Sequence, residues 1–471
     1  MVRSTSVART RTTFASAGRD LFVALAPARA SKRLRLAAGL RDAIRQGRLA
    51  PHTRLPASRN LASDLGVSRG VVVDAYDQLI AEGYLVAHRG SGTLVAPHAG
   101  QAASATPPVS NGTVFDYDFR PGLPDLASFP RTAWLAALRR VLRQVPDAEL
   151  GYGPPAGAPA LRDALRTYLG RVRGVVTDVD GVVVTTGAAQ GMSLLLRVAR
   201  ERGHRAVAVE DPGSPEIRGL VHAAGLEPRP VRVDDDGMRV TDLIATDARM
   251  VLVTPAHQLP LGVVLSAGRR HELLAWAAAR DGVIVEDDYD AEYRYDRQPV
   301  GTVQGLAPEH VAYIGTASKT LAPALRLGWL VLPSNLRVEV TELKRTADLH
   351  SAVFEQLALA DLLGSGVFDR HIRRTRQLYR RRRDQLVAAL APHAQVGGIA
   401  AGQHAVLHLP PGCDEAGLIE AGARDSVGLH GLGRYRLSGG PPGLVIGYAR
   451  CSEFRFRRGL DLLTQLLANC S

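Results

Sequence analysis

Lysine is almost absent from this 471-residue chain. Of its 58 basic residues only Lys32, Lys319 and Lys344 are lysines, and the rest are arginines. A guanidinium stays protonated and is a poor nucleophile, whereas a buried amine can lose its proton and form a Schiff base. A lysine kept in so arginine-rich a chain therefore indicates chemistry that arginine cannot perform.

Cysteine is scarce as well, and long apolar runs are missing. Cys413, Cys451 and Cys470 are odd in number and lack metal-binding spacing, so neither a disulfide scaffold nor a zinc site is expected. No apolar run approaches the roughly 18 residues of a membrane helix, and the N-terminus lacks the apolar core of a signal peptide. We therefore expect a protein of the reducing cytoplasm, with no metal site and no membrane partner.

Positive charge is concentrated in the first fifth of the chain. Residues 1–100 carry 15 basic and 6 acidic residues, whereas the net charge of the whole chain is +12. A basic module attached to a near-neutral remainder is typical of nucleic-acid binding. We therefore expect double-stranded DNA as a partner of the N-terminal part.

From Leu21 to about Glu82 the periodic pattern predicts three helices. The first is predicted to end by Gly47, and the second to run from Ser58, its N-cap, to Leu65. The third is predicted to follow Ser68 and to continue to about Glu82. Their inner faces are predicted to carry Leu34, Leu40 and Ile44 on the first helix and Val72, Tyr76 and Leu79 on the third. Helix, tight turn and helix make a helix-turn-helix, whose second helix enters the major groove through its N-terminal residues.

The segments around these helices differ in composition. Residues 84–95 form a predicted hairpin with a Gly-Ser-Gly tip, a wing. Residues 1–18 are rich in Ser, Thr and Arg and are predicted to be disordered. Residues 96–112 lack periodicity and are predicted to be a linker.

Beyond the linker, apolar strands alternate with amphipathic helices. Such alternation predicts an α/β domain with a largely parallel sheet covered by helices. An arginine-rich helical stretch begins near residue 346 and is expected to expose its arginines to solvent. The predicted strands are residues 182–185, 206–209, 251–253, 283–285 and 311–314.

Two strand ends carry the residues of a candidate cofactor site. Lys319 follows an apolar run and a hydroxyl-rich turn, and Arg326 comes seven residues later. An upstream apolar strand ends in Asp287 and Tyr289, whose spacing of two places both side chains on one face. A Schiff-base lysine with an acid partner for a pyridinium nitrogen is typical of a pyridoxal 5'-phosphate (PLP) site. We therefore predict that Lys319 binds PLP covalently and that Asp287 holds its ring nitrogen.

The phosphate of PLP has a predicted site of its own. Small residues at 186–190 join a strand to a helix, where backbone N–H groups can surround a phosphate. Thr316 or Ser318, with Arg326, would complete that shell through charge-assisted bonds. His257 follows another strand, and a ring-contacting histidine and a structural loop histidine are equally compatible with its position.

Residues 55–69, 75–76, 82–85 and 90–93 resemble the winged-helix domain of the GntR regulators. The resemblance implies a DNA-binding domain over residues 19–95, with phosphate or guanine contacts from the second and third helices and a wing near the minor groove. One basic position of some family members is Val73 here, which implies a different operator. The DNA-binding residues implied are Arg59, Ser68, Arg69, Gly70, His88, Arg89 and Gly90.

Six motifs between Phe119 and Lys319 resemble, in order, the MocR/GabR branch of the GntR family. The resemblance implies a fold-type I aminotransferase-like effector domain over residues 113–471, with a large subdomain at about 150–345 and a small one at about 346–471. It also implies a head-to-tail homodimer. The cofactor-binding residues implied are Lys319, Asp287, Tyr289, Arg326, Ser318, Thr316, Ala188, Ala189, Gln190 and His257.

Two departures from that branch bear on function. Ser214 replaces the usual aromatic residue over the ring, and Glu216 replaces an effector-binding arginine. No carboxylate-binding arginine can be assigned, and Arg434, Arg436 and Arg450 are only candidates. We therefore expect a PLP-sensing transcription regulator with weak or absent transaminase activity, most similar to the PdxR regulators of vitamin B6 synthesis. The alternatives are a regulator that senses an amine or amino acid (GABA, taurine or D-alanyl-D-alanine), an active aminotransferase with a DNA-binding head, and a repressor whose cofactor fold only dimerises.

Overall fold

The computed structural model describes residues 31–88, 92–97, 114–295 and 300–468. The chain divides into two compact units, Met1–Gly112 and Thr113–Ser471. The predicted tail at 1–18 and the linker from residue 98 onward lie outside the described residues. Within those residues, no helix is both long and apolar enough to cross a bilayer.

The N-terminal unit consists of three helices and one hairpin. Its elements are α1 (Lys32–Arg45), α2 (Ser58–Leu65), α3 (Arg69–Ala81), β1 (Leu85–His88) and β2 (Gly92–Val95). The hairpin pairs antiparallel, with His88 opposite Gly92 at its tip. This is the predicted helix-turn-helix with its wing.

Two details of the helix prediction are wrong. Leu34 is 43% exposed, because the inner face of α1 follows Leu36, Leu40 and Ile44 instead. The N-cap of α2 is Ala57, so Ser58 is the first helical residue, and no side chain caps this helix. The three apolar residues predicted inside α3 are buried as expected: Val72, Tyr76 and Leu79.

The C-terminal unit is a helix-covered α/β domain. Its helices are α4 (Arg131–Gln144), α5 (Pro159–Arg173), α6 (Ala188–Glu201), α7 (Pro215–Ala223), α8 (Val240–Ile244), α9 (Ala267–Arg280), α10 (Ser334–Asp348), α11 (Val353–Gly364), α12 (Val367–Leu390), α13 (Glu415–Arg424) and α14 (Glu453–Ala468). Its strands are β3 (Tyr117–Asp118), β4 (Val182–Thr185), β5 (Ala206–Asp211), β6 (Glu227–Asp234), β7 (Gly237–Met238), β8 (Met250–Val253), β9 (Val283–Asp287), β10 (Val311–Thr316), β11 (Gly328–Val331), β12 (Gln395–Gly397), β13 (His404–His408), β14 (Val427–Gly428), β15 (His430–Gly431) and β16 (Gly443–Gly447).

The central sheet has eight strands in the order β4-β11-β10-β9-β8-β5-β6-β7. Its five middle strands from β10 to β6 are mutually parallel, whereas β11 runs antiparallel to both β10 and β4. Strands β4, β8 and β10 are buried along their whole length, because helices cover both faces and the sequences are nearly all apolar. The prediction of a largely parallel sheet is confirmed.

A smaller layer follows in the C-terminal third. Strands β12-β13-β16-β15 form an antiparallel sheet against α12 and α13, and α14 packs on these two helices. Strand β3 pairs with β14, and Gly122 in the segment that follows accepts a hydrogen bond from Lys319.

Three further expectations can be compared with this unit. The helical region near residue 346 begins earlier, since α10 starts at Ser334. Most arginines of α12 are exposed as expected, but Arg382 is only 2% exposed and bonds Asp125. The sequence predicts no disulfide scaffold; Cys451 is a buried free thiol, and Cys413 is disulfide-bonded.

Candidate functional site

The candidate cofactor cavity lies at the carboxyl ends of β9 and β10. These strands are parallel and pair Asp287 with Ile314, so the residues that follow them meet at one sheet edge. The cavity has a volume of about 430 Å³, within the range of small-molecule sites. Lys319, Asp287 and Tyr289 all line it, which is the constellation that the sequence predicts.

Asp287 has an unsatisfied oxygen in this cavity. Its Oδ1 atom is buried and has no hydrogen-bond partner among the described residues. Burial raises the pKa of Asp287 to about 7, against the opposing charge of Lys319. A buried carboxylate oxygen without a donor costs free energy, so this site fits a ligand that presents an N–H group, such as a protonated ring nitrogen.

Lys319 is set up as a nucleophile. Burial lowers its pKa despite the charges of Asp287 and Asp290, which favours the neutral amine. Its Nζ donates a 2.6 Å hydrogen bond to the backbone oxygen of Gly122. Lys344 is also fully buried, but it is ion-paired with Asp348. Scarcity of lysine alone therefore does not single out Lys319, and its position in the cavity does.

An anion site adjoins the lysine at the start of α6. Gly187 has φ of +82°, and a Cβ there would lie 2.8 Å from Nη2 of Arg326, so only glycine fits the turn. Arg326 donates from Nη2 to the backbone oxygen of Thr186 at 2.7 Å. Backbone N–H groups of a helix N-terminus beside a guanidinium and hydroxyls suit a phosphate group. The other predicted residues that line the cavity here are Ala188, Ala189, Thr316 and Ser318.

Gln190 does not belong to this anion site. Its Oε1 accepts from the backbone N–H of Thr186, and its Nε2 donates to Asp348 at 2.8 Å. The side chain is absent from the cavity lining. The prediction for Gln190 is corrected to a residue that fixes the turn, because both ends of its amide are already bonded.

His257 stands behind Tyr289 rather than on the cavity wall. Its ring bonds the carboxylate of Asp290 at 3.1 Å, and its backbone oxygen accepts from the Tyr289 hydroxyl at 2.8 Å. A ring-contacting role for His257 is therefore not supported by its position. Donation from Tyr289 to a cofactor oxygen would require its hydroxyl to change partner.

A buried network of side chains, which the sequence analysis did not predict, lies behind Tyr289. His257, Asp290 and His404 have ligand atoms within 4.8 Å of one another, the composition of a metal site. Asp290, however, already accepts from His257 and from the backbone N–H of Gln403. Burial, with the nearby His257, lowers the pKa of His404 to about 3. These bonds fit a hydrogen-bonded support for Tyr289, formed by residues too far apart in sequence for any spacing to predict.

The candidate carboxylate-binding arginines are all engaged by the protein. Arg450 pairs with Asp118 at 2.6 Å, and Arg436 donates to the backbone oxygen of Pro441. Arg434 pairs with Glu216, which lines the cavity. The described cavity lining contains a single arginine, Arg326.

Ser214 leaves the expected aromatic position without a ring. Its Oγ accepts from the backbone N–H of Ile217 at 3.3 Å as the N-cap of α7. His430 and Tyr435 also line the cavity and bond each other at 3.1 Å. The sequence analysis did not predict them, because they lie more than 200 residues from Ser214 along the chain.

The candidate DNA-binding surface belongs to the N-terminal unit. Ser68, Arg69 and Gly70 are exposed at the start of α3, and Arg59 is exposed on α2. Among the described residues neither of these two arginines has a hydrogen-bond or ion-pair partner, so their charge is available. His88 is exposed at the end of β1. The predicted Arg89 and Gly90 lie outside the described residues.

Arg54 is a further basic side chain beside the wing. It is exposed, and a Cβ at Gly92 would lie 3.3 Å from its Nε atom. Arg54 also forms a single β-bridge with Leu94, which fixes it at the base of the hairpin. The sequence gives only its charge and its place before α2, so it was not predicted.

Two family models match the chain. "Aminotransferase class I and II" covers residues 123–423, and "Bacterial regulatory proteins, gntR family" covers residues 32–95. The first match contains every predicted cofactor-binding residue, and the second contains every predicted DNA-binding residue.

Two transcription regulators align along most of the chain, and an aminotransferase of known structure aligns with three quarters of it. The chain is 35% identical over 434 residues to the HTH-type pyridoxine biosynthesis transcriptional regulator PdxR of Corynebacterium glutamicum, covering 89% of this chain and 92% of that protein. It is 33% identical over 450 residues to the probable rhizopine catabolism regulatory protein MocR of Rhizobium meliloti, covering 90% and 91%. Among solved structures, it matches the kynurenine aminotransferase of Pyrococcus horikoshii with a TM-score of 0.69 and 25% identity, covering 76% of this chain and 92% of that one.

Proposed function

The chain belongs to the MocR/GabR subfamily of GntR transcription regulators, and from this membership we propose that it binds PLP in the cavity around Lys319 and thereby adjusts its affinity for operator DNA. The observation that carries the proposal is the buried, unpartnered Oδ1 of Asp287 in the same cavity as a lysine of lowered pKa. A pyridinium N–H satisfies the first group, and an aldehyde reacts with the second.

Each side of the cofactor then has a protein group. The phosphate would be held by Arg326, the hydroxyls of Thr316 and Ser318, and the N-terminus of α6 beside Ala188 and Ala189. Tyr289 would face the ring oxygen. When bound, PLP supplies a carbonyl carbon for amines and a cationic ring that withdraws electrons. The residues around it hold the ring and keep Lys319 available.

We propose that PLP itself is the signal and that the regulated genes serve PLP synthesis. This rests on the 35% identity to a pyridoxine biosynthesis regulator over 89% of the chain. It also rests on the engaged state of Arg434, Arg436 and Arg450, since a cavity without a free carboxylate clamp is suited to the cofactor more than to an amino acid.

A homodimer would present two winged helices to repeated half-sites. Tyr152 is 87% exposed and Leu349 is 53% exposed, and the Tyr152 ring lies 5.9 Å from that of His350. An exposed apolar patch of this kind is a candidate subunit interface. Symmetry would then duplicate both the DNA-binding surface and the cofactor cavity.

An amine sensor is the second candidate function. A cavity of about 430 Å³ leaves space beside a cofactor of PLP's size, and Glu216 and Ser214 face that space. An active aminotransferase has less support, because the described lining has no arginine apart from the one assigned to the phosphate.

The test measures binding of the full chain to DNA from its own upstream region, with and without PLP. Pyridoxine, which lacks the aldehyde and the phosphate, is the matched control ligand. We expect PLP to change operator affinity several-fold and pyridoxine to leave it unchanged. Equal affinity in all three conditions would reject a cofactor signal. Steady release of keto acid from added amino acids would support the enzyme instead.

A further inference from the structure

An ion pair stands on the side of the cavity that the cofactor residues leave free. Glu216 accepts from Nη2 of Arg434 through Oε1 at 2.7 Å and from the Ser214 hydroxyl through Oε2 at 3.0 Å. Both carboxylate oxygens are therefore bonded. Partial burial opposes ionisation of Glu216, but the bonds from Arg434 and Ser214 outweigh it and lower its pKa.

The two partners are held in place by buried contacts. Arg218 is 9% exposed and donates to the backbone oxygens of Gly213, Arg434 and Tyr435. The N–H of Gly213 donates to the same Tyr435 oxygen at 2.8 Å. The segment carrying Arg434 is thus fixed to the start of α7, which carries Glu216. The side chains of Arg434 and Glu216 are 49% and 67% exposed, so these backbone contacts set where the two side chains meet and do not add to the free energy of the pair.

The place of Glu216 on the cavity lining gives the pair its role. Glu216 lines the cavity together with Lys319 and Arg326, and its negative charge opposes the lowering of the Lys319 pKa by burial. A free carboxylate entering beside Lys319 would meet an acid and an arginine that is already occupied.

We propose that Glu216 is an internal substitute for a ligand carboxylate: it occupies Arg434 and so excludes amino acids from the space beside Lys319, while amines without a carboxylate are admitted. This inference rests on the proposed PLP site. It identifies the class of second ligand that the site takes, namely neutral-tailed or cationic amines. Removal of Glu216 would release Arg434 and convert the same space into a carboxylate site.

The test uses three amines of equal length that differ only at the far end: butylamine, 4-aminobutyrate and 1,4-diaminobutane. Each is titrated into the full-length, PLP-loaded protein, and the half-saturating concentration is taken from the change in visible absorption. In the wild-type protein we expect 4-aminobutyrate to bind most weakly. The comparison with butylamine cancels everything except the terminal group.

Two opposite substitutions make the test sharp. Glu216→Gln should lower the half-saturating concentration of 4-aminobutyrate relative to that of butylamine by about tenfold, which is the scale of one charge-assisted hydrogen bond. Arg434→Gln leaves Glu216 without its arginine partner. It should therefore lower the half-saturating concentration of 1,4-diaminobutane, relative to that of butylamine, by a similar factor. The double variant should show neither gain. Glu201→Gln, which breaks the exposed Arg197–Glu201 pair on α6, is the matched control and should leave the order unchanged.

The outcomes separate this inference from the proposed function. If the wild-type protein takes up no PLP, the proposed function fails. If PLP binds but the order of the three amines is the same in wild-type, Glu216→Gln and Arg434→Gln proteins, only the role of the ion pair is overturned. If one single variant loses PLP, the other one still tests the pair by its own amine. Equal wild-type binding of 4-aminobutyrate and butylamine would also overturn it.

Discussion

In the N-terminal unit the candidate DNA-binding side chains are exposed, whereas in the C-terminal unit the candidate cofactor-binding side chains line a cavity. Arg59 and Arg69 extend from the surface with no partner among the described residues. Asp287, by contrast, has a buried oxygen that lacks a donor and a pKa raised to about 7 by burial. The same chain therefore carries its unsatisfied charge in two different environments.

The difference predicts how each site responds to conditions. An exposed arginine without a partner costs the free protein little free energy, because water solvates its charge. On binding it releases counterions from DNA, so its contribution to the free energy of DNA binding falls as salt concentration rises. A buried carboxylate costs free energy until a donor arrives, so its contribution depends on the ligand and on pH. Salt should therefore act mainly through the N-terminal unit, and protonation mainly through the cavity.

The largest effect is expected from Lys319→Ala. Without its amine the cavity should lose covalent PLP completely, because Arg326 and the α6 N-terminus provide only non-covalent contacts. Borohydride reduction followed by mass spectrometry of the labelled peptide measures this. Lys344→Ala removes the other buried lysine and should keep the label; labelling of the Lys319→Ala protein would contradict the assignment.

Asp287→Asn should be the next largest change. It removes the charge that would pair with the ring nitrogen but keeps the shape, so PLP affinity should fall on the order of 10- to 100-fold, or about 1.5–3 kcal/mol. Equilibrium dialysis at two salt concentrations measures it, with exposed Asp281→Asn at the end of α9 as control. The loss should be nearly the same at both concentrations. An unchanged affinity would mean that the buried oxygen does not face the cofactor.

Arg59→Ala and Arg69→Ala test the exposed side of the comparison. Each should cost about 1–3 kcal/mol of operator binding if the arginine contacts a base, or reduce the salt slope by about one if it contacts a phosphate. Fluorescence anisotropy over a range of salt concentrations distinguishes the two. Arg197→Ala in the other unit is the control. If the double variant bound operator DNA like the wild-type protein, the DNA-binding surface would have to lie outside these two helices.

Buried and exposed carboxyls should contribute to stability with opposite pH dependence in the two units. Burial raises the pKa of Asp287 and of Glu210 to about 7, so the folded cavity keeps protons that the unfolded chain releases from about pH 4 upward. The contribution of these two carboxyls to the stability of the PLP-free C-terminal unit should therefore fall as pH rises from about 4 to 7. In the N-terminal unit, the hydrogen bond from Arg41 lowers the pKa of Glu82, so its small contribution is lost as pH falls.

Tryptophan fluorescence isolates the first of these effects. All three tryptophans, Trp134, Trp276 and Trp329, lie in the C-terminal unit, so urea unfolding followed by their emission reports on that unit. The difference in stability between the wild-type and Asp287→Asn proteins should change in favour of the variant as pH rises from about 4 to 7. A difference that is the same at every pH would contradict the raised pKa of Asp287.

The sequence predicted those parts of both sites that depend on local order. Asp287 and Lys319 could be placed together because parallel strands end at one edge of a sheet, and Arg69 could be placed because a turn precedes α3. The Glu216–Arg434 pair and the network around His257 could not be predicted, since their members come together only when the smaller sheet packs near the central one. Gln190 was misassigned for the same reason: its partner Asp348 lies at the far end of α10.

The proposed function requires that PLP binding and DNA binding be coupled within one protein. Coupling is reciprocal, so a ligand that changes operator affinity must have its own affinity changed by the same factor. The most direct measurement is the dissociation constant of PLP for the full-length protein with and without saturating operator DNA. We expect a several-fold difference, equal to the change in operator affinity that PLP causes. Identical constants in the two conditions would contradict the account, even if both ligands bind.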